Sequence, residues 1–87
     1  MIIPSSVVEI HATAFKDCAS LREVVFTANS HLESIGIAAF YNSGITSFNA
    51  PSSLRKVCQV AFCGCKNLRR VILNDGLQVL GSDVASH

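Results

Sequence analysis

Charge is scarce in this chain. Charged residues make up 15% of its 87 positions, against roughly 25% in ordinary soluble domains. The net charge of +1 supplies no field that would draw the chain to nucleic acid or to an anionic membrane. Long apolar runs are lacking as well. None approaches the ~20 residues of a spanning helix, so no membrane insertion is expected. The opening Met1-Ile2-Ile3-Pro4 has neither the basic start nor the apolar stretch of a secretory signal. There is no Asn-x-Ser/Thr sequon, because Asn29, Asn42, Asn49, Asn67 and Asn74 all fail at the third position. The residues themselves therefore carry no address.

What the chain does have is apolar residues, at 49%. A chain this short forms one domain at most and buries only about 60% of its unfolded surface. An apolar share of that size is spent on an interior.

The apolar residues recur in register. Ala-Phe occurs as Ala14-Phe15, Ala39-Phe40 and Ala61-Phe62, the Phe residues lying 25 and then 22 positions apart. Five residues before each Phe stands Ile10, Ile35 or Val57, and three before that Val7, Leu32 or Leu54. Three residues after each Phe stands a small residue, Cys18, Ser43 or Cys65. Leu21, Ile45 and Leu68 follow, then Val24, Phe48 and Val71. Pro4-Ser5-Ser6 and Pro51-Ser52-Ser53 mark recurring turns, and a fourth unit opens at Asp75-Gly76-Leu77 with Leu80 in the Ile10 slot. The irregularities lie where turns are expected. One residue is missing between Phe40 and Ile45, and two are added in Ala28-Asn29-Ser30-His31, places where insertion is tolerated. The units run 3–27, 28–50, 51–74 and, in part, 75–87.

Such a unit cannot bury its own apolar face, but stacked units bury one another's. Val24-Val25-Phe26 and Val71-Ile72-Leu73 are β-formers bounded by turn residues, and no segment is long enough for a free-standing helix. Stacking sets equivalent residues about 4.8 Å apart, so Phe15, Phe40 and Phe62 should form an internal aromatic column. Asp17, Asn42 and Gly64 stand two residues after each Phe. These types tolerate left-handed backbone, which predicts a tight bend closing each unit after a short 3₁₀ or α turn built on Ala-Phe.

A unit of this length reading Leu-x-x-Val-x-apolar, Pro-Ser-Ser-apolar-x-x-Ile, Ala-Phe-x-x-Cys resembles the BspA-like leucine-rich repeat. The resemblance covers Ile3 to about Leu80 and departs at Ser43, where Cys belongs, and at Ala85, where the fourth Phe belongs. It implies a right-handed leucine-rich-repeat superhelix, a repeat solenoid that is mainly β. It also implies a cell-surface or extracellular setting, with roles as surface antigen, adhesin or protein-binding array. Neither end reads as a polar cap, so the chain is expected to be a slice of a longer array that contacts flanking repeats.

Cys18 and Cys65 share a slot two units apart, roughly 10 Å by strand spacing, beyond the ~7 Å Cα limit of a disulfide. Cys58, Cys63 and Cys65 cluster in the third unit, with Cys65 inward and Cys63 outward by register. Zinc wants four ligands with other spacing, so a thiol or metal site there is the minor alternative and no cofactor is expected. His11, His31 and His87 share no slot, and no Ser or Cys stands with a base and its orienting third group, so no enzyme is expected.

With Leu21, Val24 and Phe26 inward, strand alternation turns Glu23 and Val25 outward. The stacked equivalents are Ser47 and Asn49, then Arg70 and Ile72. These six form the expected binding face for a protein ligand, with a purely structural spacer as the alternative. Arg55, Lys56, Lys66, Arg69 and Arg70 concentrate in the third unit as a basic patch for an anionic partner. Without interleaved exposed aromatics it does not suit nucleic acid.

Overall fold

The computed structural model describes residues 1–58 and 60–73, together with the backbone of 78 and 79. Its regular structure is a set of strands two or three residues long: β1 (Ile2–Ile3), β2 (Glu9–Ile10), β3 (Val25–Phe26), β4 (Ser34–Ile35), β5 (Ser47–Asn49), β6 (Lys56–Val57), β7 (Arg70–Ile72) and β8 (Gln78–Val79). Every pairing is parallel and joins a strand to its counterpart in the next unit. One sheet runs β2-β4-β6-β8, and its register aligns Ile10, Ile35 and Val57 as the repeat spacing requires. Two smaller sheets, β1-β3 and β5-β7, carry the Leu-x-x-Val segments.

The core lies between these strands and the Ala-Phe turns. Leu32, Ile35, Phe40, Ile45, Phe48, Leu54 and Val57 are fully buried, all residues that the slot pattern places inward. Each such side chain contributes roughly 1.5–3 kcal/mol by leaving water. The aromatic column is present: Phe15 and Phe40 stack at 5.2 Å and Phe40 and Phe62 at 5.4 Å between ring centroids. Phe48 closes against it, 4.9 Å from Phe62.

The bends also fall on the expected residues, with φ of 62° at Asp17, 56° at Asn42 and 74° at Gly64. The turns themselves are not helical, which corrects the expected 3₁₀ or α turns. Among the described residues there is no helix of any kind. Two features prevent one. Thr13, Ala38 and Val60, two residues before each Phe, also have positive φ, and a right-handed helix cannot cross that region. Alternate amides also point out of the unit. Thr13, Phe15 and Asp17 donate to the carbonyls of Ile37, Ala39 and Tyr41 at 3.0, 2.7 and 2.8 Å. Phe40 and Asn42 donate in turn to Ala61 and Cys63, both at 2.8 Å. The Ala-Phe segments therefore form a third ladder between units, built from β-turns.

Three further expectations are corrected. Val71 and Leu73, expected inward, are 36% and 46% exposed. They sit on or next to the outer strand of the β5-β7 sheet, and nothing among the described residues stacks beyond it. Val57 pairs with Val79, one position short of Leu80, which itself lies outside the described residues. Lastly, β3 and β5 do not pair along their length. Glu23 and Ser47 form an isolated parallel bridge, and Val25 and Asn49 are not joined. The separation coincides with the lengthened link at 28–31, where Ser30 turns back on Thr27 and His31 donates to Ser5.

Candidate binding face

The outward residues of the Leu-x-x-Val segments are assembled by the parallel register. Glu23 bridges to Ser47, and Ser47 is the Cα partner of Arg70. Acid, hydroxyl and base thus follow one another across three units, and the neighbouring Val24 and Phe48 of the first two segments turn into the core. Asn49 and Ile72 are also register partners. Val25 instead pairs with Ile2 of β1 and stands across a gap from Asn49. That gap is a cleft of about 380 Å³ lined by Glu23, Val25, Phe26, Thr27, Asn49 and Pro51, among others. Of the six residues expected on this face, Glu23, Val25, Asn49, Arg70 and Ile72 are exposed and Ser47 is half-buried.

The basic residues of the third unit do not form one patch. Lys56 lies in the other sheet, paired with Ser34. Arg55 folds back on the carbonyls of Ser52 and Leu54. Lys66 lines a small cleft with Asn42, Gly44 and Gly64. These three stand on other segments of the unit, so their proximity in the chain to Arg69 and Arg70 does not place them on one patch. Arg69 and Arg70 remain on the strand face, where they are joined by Arg22 in an open cleft of about 530 Å³ that Thr46, Ser47, Asn49 and Asn67 complete.

Arg22 was not among the residues singled out from the sequence. The signal was there: Arg22, Thr46 and Arg69 each follow the first aliphatic residue of their segment, Leu21, Ile45 or Leu68. Extending the slot comparison by one position aligns them. The backbone confirms the alignment, since Thr46 donates to the Arg22 carbonyl at 2.9 Å and Arg69 to the Thr46 carbonyl at 2.8 Å. Gly44 makes room for the Arg22 side chain, because a Cβ there would collide with the Arg22 guanidinium and with the Ala19 carbonyl.

The thiols and imidazoles are dispersed. Cys65 is buried and donates to the Phe40 carbonyl at 2.9 Å, with the Ser43 hydroxyl 3.6 Å away, whereas Cys18, Cys58 and Cys63 are half-buried. No three His, Cys, Asp or Glu side chains converge among the described residues. His31 Nδ1 meets the Ser5 carbonyl at 3.0 Å, His11 is exposed, and His87 lies outside the described residues.

No curated protein and no solved structure matches the chain. A family model does: the BspA type leucine rich repeat region matches in six copies over residues 1–87. This is a non-enzymatic repeat family. The in-register units and parallel strands are compatible with that repeat, and the chain belongs to the BspA-type leucine-rich repeat family.

Proposed function

We propose that the chain is a non-catalytic module of a leucine-rich solenoid that binds a protein through the outward face of its Leu-x-x-Val strands. The observation that supports this reading is the row Glu23–Ser47–Arg70 with Asn49 and Ile72 beside it. Acidic, hydroxyl, basic, amide and aliphatic groups are presented at fixed spacing on a backbone ladder. Repeat proteins bind over such extended surfaces, and exposed aliphatics such as the 49%-exposed Ile72 add apolar area to the polar row. In a longer surface array the same face would serve adhesion or antigenic recognition.

Selection from a displayed random-peptide library tests this. Clones enriched on the wild-type chain should lose binding to a Glu23→Ala, Asn49→Ala, Arg70→Ala variant whose circular dichroism is unchanged. Equal binding to both proteins, or no enrichment, would remove the strand face as a binding site. That result would favour a second reading, a structural spacer between other repeats, which the exposed Val71 and Leu73 support as a stacking surface.

A further inference from the structure

We propose that the cleft between Arg22, Arg69 and Arg70 receives an extended acidic peptide segment, its carboxylates on the guanidinium groups and its backbone against Asn49 and Asn67. This deepens the protein-binding reading and rests on it. The cleft draws on three units: Arg22 comes from the first, Ser47 and Asn49 from the second, Asn67, Arg69 and Arg70 from the third. Three guanidinium groups line it and no Asp or Glu does. The cations repel one another, and an anion that enters relieves the repulsion. Arginine presents a planar fork of donors that matches a carboxylate in two parallel hydrogen bonds.

Two observations indicate a prearranged site. The Arg22 guanidinium donates to the carbonyls of Ala19 and Gly44 and lies over Gly44 where no side chain intervenes. Its position is therefore set before a ligand arrives, which lowers the cost of binding. The Arg22 and Arg69 slots are separated by two rungs, about 10 Å at ~4.8 Å per rung. An extended peptide rising ~3.3 Å per residue presents carboxylates on one face at alternate residues, about 6.6 Å apart, and the long arginine side chains span the remaining difference. The polar remainder of the cleft points to a peptide over a sulfated polysaccharide. Asn49 and Asn67 each offer both donors and an acceptor, which suits a peptide backbone carrying N–H and C=O. A polyanion of sulfates would use donors alone.

The test is fluorescence anisotropy of the 87-residue chain with a labelled peptide of alternating Asp and Glu. Parallel titrations use the same peptide with Asn and Gln in place of the acids, inorganic phosphate, and a sulfated polysaccharide. The acidic peptide should bind, more weakly as salt rises, and the amide peptide should not. Arg70→Gln and Arg69→Gln should each weaken binding roughly tenfold or more, and Arg22→Lys, which keeps the charge but loses the fork, should weaken it too. Arg55→Gln removes the same charge from outside the cleft and should leave affinity unchanged. An equal loss in Arg55→Gln, an inert acidic peptide, or tighter binding of the polysaccharide or phosphate would overturn the proposal. If the acidic peptide is inert while library clones still depend on Glu23, Asn49 and Arg70, the acidic-ligand inference fails and the binding face stands.

Discussion

The rings of Phe40 and Phe62 lie 5.4 Å apart and within 6° of parallel, so equivalent residues 22 positions apart meet face over face. Phe40 also touches Phe15 on its other side and Phe48 at its flank, at 5.2 and 6.1 Å, and no part of it reaches solvent. Phe40→Ala should therefore cost about 3–5 kcal/mol, most of the margin of a domain this small. Phe15→Ala, at the half-buried end of the column, should cost distinctly less. Urea unfolding of the two variants checks the order; equal losses would mean the column does not bear on stability as a stack.

A second constraint is steric. A Cβ on Gly36 would lie 2.5 Å from the amide nitrogen of Ala12 and 2.9 Å from its Cα. Both are backbone atoms, held by the Gly36 amide's bond to the Ile10 carbonyl at 2.8 Å, so neither side can yield cheaply. Cys58 fills the same slot one unit on, which ties the requirement to this one contact between units and not to the repeat in general. Gly36→Ala should lower stability by roughly 1–3 kcal/mol, read as a shifted urea midpoint. An unchanged midpoint would show that the first two units are free to move apart.

Much of this architecture is legible in the sequence. The column was readable because Phe15, Phe40 and Phe62 keep their flanks, and the bends because Asp17, Asn42 and Gly64 are types at ease with positive φ. Thr13, Ala38 and Val60 adopt the same backbone with no such mark in their side chains. There the hydrogen bonds between units decide the conformation, as when Thr13 donates to Ile37, and tertiary structure overrides local preference. The candidate face was legible in part. The row from Glu23 to Arg70 follows from period-2 alternation, whereas the separation of Val25 from Asn49 depends on how the longer link at 28–31 leaves its strand. Nor does the run of basic residues from Arg55 to Arg70 say which way each one faces. The repeat slot does, and it brings Arg22 to Arg69.

Burial also separates Cys65 from Cys18 and Cys58. Cys65 is 2% exposed and engaged with the Phe40 carbonyl, while Cys18 and Cys58 are half-buried. Iodoacetamide labelling in native buffer, followed by peptide mass analysis, should modify Cys18 and Cys58 and leave Cys65 untouched until denaturant is added. Labelling of Cys65 at the same rate would mean that the inner column opens locally without global unfolding.

The strain at Thr13 offers the reverse experiment, a gain of stability. Thr13 is exposed and has φ of 60°, a conformation that costs an ordinary L-residue roughly 1–2 kcal/mol and suits a β-branched one least. It cannot relax, because its amide is committed to the Ile37 carbonyl at 3.0 Å in the next unit. Asn tolerates this backbone better, and among the described residues the side-chain polar contact at stake is an exposed hydroxyl bond to the Ala12 carbonyl. Thr13→Asn should raise stability by about 0.5–1 kcal/mol, a few degrees in Tm for a domain of this size. Thr13→Pro makes the opposite demand. It locks φ near −65° and deletes the donor to Ile37, so it should lower Tm by more than Asn raises it. If both variants lower Tm alike, the left-handed turn is not what joins the first unit to the second, and the ladder of turn amides loses its claim to hold the units together.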